Sequence, residues 1–125
     1  MPEQEQSLST AQVAHKIADI ILEKKGLELR VLDISECSDI GDFMVIATGA
    51  NKRQVQAMAE DIAKELKSVG RIPIGVNGKE VGWWILMDFG DVIVHLMQED
   101  ARRYYDLEAL WADAPVVRRG VEDAA

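Results

Sequence analysis

The chain has 125 residues, 48% hydrophobic and 29% charged, with 22 acidic and 14 basic side chains and a formal net charge of −8. This suits one globular domain that buries roughly two-thirds of its unfolded surface, and it argues against an extended grip on free nucleic acid, which rests on many Lys/Arg–phosphate contacts. Cys37 is the sole cysteine and His15 and His95 the only histidines, so an intrachain disulfide, a Cys-rich zinc site and a His-rich metal site are excluded as well.

Residues 1–8 read as a flexible, acidic and polar N-terminus without the basic start and apolar stretch of a secretory signal. No apolar run reaches the ~20 residues that span a bilayer, so a cytoplasmic protein without membrane contact is expected. Ser9 or Thr10 can cap a first helix whose stripe is Val13, Ile17, Ile20 and Ile21, closed by Gly26. His15 lies off that stripe and reads as a solvated helix residue. Leu29 to Ile34 reads as a strand, followed by an acidic loop. Phe43 to Ala47 is a continuous apolar run, the mark of a strand buried on both faces. Asn51 is a good cap for a second helix with Val55, Met58, Ala59, Ile62 and Leu66 on its inner face. Ile72 to Val76, with Pro73, reads as an edge strand, and the strand–helix–strand unit over 43–76 as a crossover between parallel strands.

Trp83 to Asp88 and Asp91 to Met97 are two strong strand patterns around Phe89-Gly90. A two-residue turn would pair Asp88 with Asp91, Leu86 with Ile93 and Trp84 with His95. Trp83, Ile85, Met87, Val92, Val94 and Leu96 would then share the opposite face. Both faces are apolar and need cover. Glu99 to Ala112 reads as a last helix, and 113–125 as a flexible tail. The expected architecture is α/β: a single domain over 9–112 with a mixed sheet of about five strands flanked by helices.

Several short motifs invite chemistry. Asp88-Phe89-Gly90 matches the metal-binding triplet of protein kinases but lacks their other signatures, so it reads as a hairpin turn. Gly75 to Lys79 resembles the end of a phosphate loop, but Pro73 and Glu80 stand where the glycine and the Ser/Thr are needed. The pairs Asp39/Asp42 and Asp88/Asp91 could hold magnesium for nucleotidyl transfer, the alternative enzymatic reading, although aspartates of this kind commonly make turns. Cys37 with His95 could form a nucleophile and base, but no third residue orients them. Arg102-Arg103-Tyr104-Tyr105 interleaves basic and aromatic residues in a way that can contact RNA; at i,i+4 spacing, however, Arg102 is placed to pair with Asp106. Trp84, His95 and Met97 share a hairpin face that is either core or an exposed partner patch. Charge is sided, with five acidic residues against one basic over 28–42.

Three ordered blocks carry a resemblance: Asp42-Phe43-Met44-Val45-Ile46-Ala47-Thr48-Gly49 with Arg53-Gln54-Val55; Trp84 through His95; and Arg102-Arg103-Tyr104-Tyr105-Asp106-Leu107-Glu108-Ala109-Leu110-Trp111. Over about residues 10–117 the chain resembles the ribosomal silencing factor RsfS, or Iojap, family. The resemblance implies a nucleotidyltransferase-like α/β fold without a working transferase site, no catalytic residues, no cofactor and no metal. It implies binding to the large ribosomal subunit through its fourteenth protein, without direct sequence-specific nucleic-acid contact. A factor docked there prevents joining of the small subunit and represses translation when nutrients are short. It also implies a homodimer when free. The family's partner surface centres on the hairpin strands, which makes Trp84, Leu86, Asp88, Phe89, His95 and Met97 the candidate partner-binding residues. The chain departs from the family pattern at Asn51, at Asn77-Gly78 and at Met97, where Ser, Glu-Gly and Phe are common.

Overall fold

The computed structural model describes residues 8–120. The expected flexible N-terminus lies outside that range except for Leu8, which is half-buried against the core; residues 121–125 lie outside it too. Helix α1 (Thr10–Glu23) opens with a capping box in which the Ser9 hydroxyl accepts from the Gln12 N–H and the Gln12 side chain accepts from the Ser9 N–H. After Lys25 at φ 66 the chain enters β1 (Leu27–Asp33), then β2 (Phe43–Gly49). Asn51 caps α2 (Lys52–Ser68) by accepting from the Gln54 N–H at 2.9 Å. β3 (Gly75–Asn77), β4 (Trp84–Asp88), β5 (Val92–Gln98), α3 (Glu99–Tyr105), α4 (Leu107–Leu110) and β6 (Val116–Arg119) follow.

The strands form one mixed sheet of six, in the order β3-β4-β5-β2-β1-β6, with β2 and β5 parallel and every other pair antiparallel. The sixth strand lies inside the segment expected to be a flexible tail. Val116–Arg119 pairs with β1, which would otherwise be an open edge, and is tied at its start by Asp33 N–H donating to the Pro115 carbonyl at 3.0 Å. On this strand Arg118 reaches α1, donating to Asp19 at 2.7 Å and meeting the His15 ring at 3.2 Å, so His15 is a contact residue rather than a merely solvated one.

Three other expectations are corrected. The parallel partner of β2 is β5 and not the strand near residue 76, which pairs with β4 at the sheet's far edge. Apolar runs covered on both faces belong together in the middle of a sheet, and β2 and β5 are those two runs. The hairpin register differs by two residues: Trp84 pairs with Met97, Leu86 with His95 and Asp88 with Ile93. The two-residue turn sits one position later than expected, at Gly90-Asp91, closed by Phe89 N–H donating to the Val92 carbonyl with Gly90 at φ 92. A shift of two preserves side-chain parity, so residues within the strands keep their expected faces. Finally, the last helix breaks at Asp106, whose φ of 46 is left-handed. Arg102 consequently pairs with Glu108, not Asp106: its Nε and Nη2 donate to the two carboxylate oxygens at 3.0 and 2.9 Å, and its Nη1 donates to Thr48 Oγ1 at 3.0 Å. Arg102's hydrogen bonds and charge hold the Glu108 carboxyl below its ordinary pKa against the opposing effect of burial.

Helices α1 and α2 roof one face of the sheet. Val13, Ile17, Ile21, Met58, Ile62 and Leu66 pack there on Leu29, Val31, Val45, Ala47, Val94 and Leu96. The second face is roofed by shorter material, a smaller cluster of Leu32, Ile34, Met44, Ile46, Met97, Ala101 and Ala114 with Trp83, Trp84, Leu107 and Trp111 against it.

The break at Asp106 makes a stability prediction. Asp106→Ala should cost about 1 kcal/mol, because a Cβ without a polar side chain is disfavoured at left-handed φ, whereas Asp106→Gly should be near neutral. Urea denaturation of the two variants measures the difference; equal losses would mean that the left-handed turn does not set the cost.

Candidate functional site

The two halves of the second sheet face are unequally covered. Over β1 and β2, Leu107, Trp111 and Ala114 join the strand residues in a closed cluster. Over β4 and β5 the cover is α3 alone, and the side chains of β4 that alternate outward, Trp84, Leu86 and Asp88, are only half-buried. This strip is the candidate docking face. Exposed Ile40 lies in the β1–β2 loop next to Gly41, which approaches Ile93 of the same face.

Trp84 is held from both sides. Its indole N–H donates to His95 Nδ1 at 3.0 Å, and the Tyr105 ring lies on it with centroids 4.5 Å apart. Tyr105 in turn meets Trp83 edge-on at 5.8 Å and Tyr104 perpendicularly at 4.9 Å, while the Trp83 indole N–H donates to Asp100 at 3.1 Å. Trp83 therefore belongs to this face and not to the opposite one: it precedes β4 and escapes the strand's alternation. Because His95 Nδ1 accepts a hydrogen bond, the neutral ring carries its proton on Nε2. The ring is 7% exposed, and burial pushes its pKa down from 6.5 to about 4.

The six residues expected at the partner surface are not equivalent. Trp84, Leu86 and Asp88 lie on the open strip. His95 is its buried support, and Met97, fully buried beside Ala101, is floor rather than surface. Phe89, 5% exposed, turns to the opposite side and joins the core beneath α1 and α2. Tyr105 and Trp83 were the residues that spacing alone did not assign to this face. The aromatic pairs at 83–84 and 104–105 were visible in the sequence, but their stacking depends on how the hairpin meets α3.

The aspartates have distinct local duties. Asp88 accepts from the Gly90 N–H at 2.7 Å and shapes its own turn. Asp91 accepts from the Thr10 hydroxyl at 2.9 Å and pairs with Arg71; burial alone raises its pKa, but these donors outweigh burial and hold the carboxyl below its ordinary value. Asp39 and Asp42 are exposed in the β1–β2 loop. Among the described residues no group of three or more His, Cys, Asp or Glu is placed to hold a metal ion. Cys37 is exposed in that same loop, whereas His95 faces Trp84. Among the described residues no helix is long and apolar enough to cross a membrane.

Comparison with known proteins places this arrangement in context. The family model described as "Ribosomal silencing factor during starvation" matches residues 7–125. A Haemophilus influenzae protein named ribosomal silencing factor RsfS is 46% identical over 88 residues, covering 70% of this chain and 86% of that protein. A crystal structure of a Chromobacterium violaceum protein superposes with a TM-score of 0.82 at 36% identity, covering 84% of this chain and 88% of that one. A mouse protein named "Mitochondrial assembly of ribosomal large subunit protein 1" is 26% identical over 98 residues, covering 76% of this chain and 43% of that protein.

The depressed His95 pKa has a signed consequence. Well above pH 6.5 the ring is neutral in both folded and unfolded chains and contributes no pH dependence. As pH falls from 6.5 towards 4 the unfolded chain takes up a proton that the folded one refuses, so stability declines, by about 3 kcal/mol when the window is fully crossed. Unfolding free energies of wild type and His95→Gln, which keeps an acceptor but does not titrate, should converge as pH falls. Parallel profiles would show that His95 is not the group responsible.

Proposed function

Because the chain belongs to the RsfS family of ribosomal silencing factors, we propose that it is a non-enzymatic translational repressor that docks on the large ribosomal subunit through its fourteenth protein and sterically blocks joining of the small subunit under nutrient limitation. The observation that carries this reading is the half-roofed sheet face with Trp84, Leu86 and Asp88 along it. Two features make such a strip suited to a protein partner. Its centre is aromatic and aliphatic, the composition of interface hot spots, and its end and the adjoining loop are acidic, which favours a basic protein and disfavours RNA phosphates. The mouse relative's name, which refers to assembly of the large subunit, supports a large-subunit partner.

Repression by occupancy needs no chemistry. One docked copy removes one large subunit from the joining equilibrium, and the extent of repression follows mass action. The site of action on a cytoplasmic ribosome is part of the same proposal. So is a homodimer of the free chain.

Co-sedimentation tests the reading. The wild-type chain should pellet with isolated large subunits and not with joined ribosomes. Leu86→Glu, which places a charge at the centre of the strip, should lower the affinity at least tenfold with an unchanged melting temperature. Trp84→Ala should weaken binding as well, and its thermal melt shows whether the loss is of surface or of fold. Equal binding to joined ribosomes would contradict exclusion. Heat release on titrating magnesium and a nucleoside triphosphate into the chain would instead favour a nucleotidyltransferase.

A further inference from the structure

The segment Arg102-Arg103-Tyr104-Tyr105 offers two cations and two rings in sequence, but the fold pairs each cation with a carboxylate, Arg102 in the interior and Arg103 on the surface. Arg102 is buried on Glu108 and Thr48, and Arg103 is paired with Glu99 one helical turn back. The rings are left outside. Tyr105 is 42% exposed and Tyr104 76% exposed. Neither is an isolated surface aromatic: Tyr104 packs edge-on against Tyr105, Tyr105 lies on Trp84, and Trp84 begins the open strip of β4. The docking face therefore continues without interruption from the sheet onto α3. Its borders are acidic, with Asp88 at one end and Asp100 and Asp106 flanking the tyrosines on the helix.

We infer that Tyr104 and Tyr105 form an aromatic shelf, continuous with the Trp84 strip, on which a basic protein partner seats an arginine side chain. This rests on the proposed docking face and names the chemistry that face selects. A planar guanidinium stacks on an aromatic ring and is less strongly hydrated than an ammonium, so it gains from both the rings and the neighbouring carboxylates. The shelf suits protein better than RNA. Bases also stack on tyrosines, but a single-strand site pairs its rings with free cations for the backbone, and here both arginines of the segment are tied to carboxylates. Two copies of a chain of charge −8 would bring like charges together on this border.

Tyr104 is the clean probe, because removing its ring leaves the Tyr105–Trp84–His95 stack intact. Affinities of the full chain for isolated large ribosomal subunits are measured for wild type, Tyr104→Ala, Tyr104→Phe and Leu86→Glu, alongside thermal melts, oligomeric state and binding to protein-free ribosomal RNA. We expect Tyr104→Ala to bind about tenfold more weakly at unchanged melting temperature, Tyr104→Phe to match wild type, and protein-free RNA to bind none of them measurably. If Leu86→Glu weakens binding and Tyr104→Ala does not, the shelf is overturned and the docking strip stands. Loss by Tyr104→Ala of binding to protein-free RNA would replace the protein partner by RNA. A change confined to the oligomeric state would assign the shelf to a second copy. A wild-type chain that does not bind large subunits overturns the docking reading and the shelf together.

Discussion

Two strands apolar on both faces, Met44 to Ala47 and Val92 to Met97, lie side by side and parallel in the middle of the sheet, so layers on both sides of them have to be closed. The chain meets that demand unequally. Two long amphipathic helices, α1 and α2, close one face. What remains after β5 to cover the other face is a seven-residue helix, a four-residue helix and the turn to Ala114, enough to roof the β1–β2 half of it, before the chain joins the sheet as β6. The left-handed turn at Asp106 and the Arg102–Glu108 pair steer that material over Leu32, Ile34, Met44 and Ile46, and leave β4 with α3 alone above it. The open strip is thus a consequence of where the cover ends.

Much of this was legible in the sequence because the signals were local. Ser9 and Asn51 announced both long helices through cap chemistry, and the stripe Val55, Met58, Ala59, Ile62 and Leu66 is wholly buried in the structure. The sheet's two central strands were readable as uninterrupted apolar runs, but their pairing was not. Parallel neighbours are chosen by which faces can be covered together, a property of the whole chain. The tail strand β6 was missed for a related reason: Val116 to Arg119 has little pattern of its own and becomes a strand because β1 presents an open edge.

The candidate site divides along the same line. Alternation placed Trp84, Leu86 and Asp88 on one face, and a register error of two residues left that face intact. Alternation also nominated Met97, and the family resemblance nominated Phe89; both are buried, one under α3 and one on the opposite side. Missing from the pattern was the contribution of α3. Local pairing of the arginines was legible in the sequence, but the partner was not: Arg102 takes Glu108 and not Asp106, Arg103 takes Glu99, and the surface beside them is aromatic and acidic. For a chain of net charge −8, the field repels phosphate, which accords with the proposed docking on a basic protein surface.

The claim that decides between a bound passenger and a silencing factor is exclusion. Isolated large subunits pre-mixed with increasing amounts of the chain are challenged with small subunits, and joining is followed by light scattering while bound chain is measured in the same samples. Steric exclusion predicts that the joined fraction falls in direct proportion to the large subunits occupied, and that no joined ribosome retains the chain. Full joining with the chain still bound at stoichiometric occupancy would contradict it.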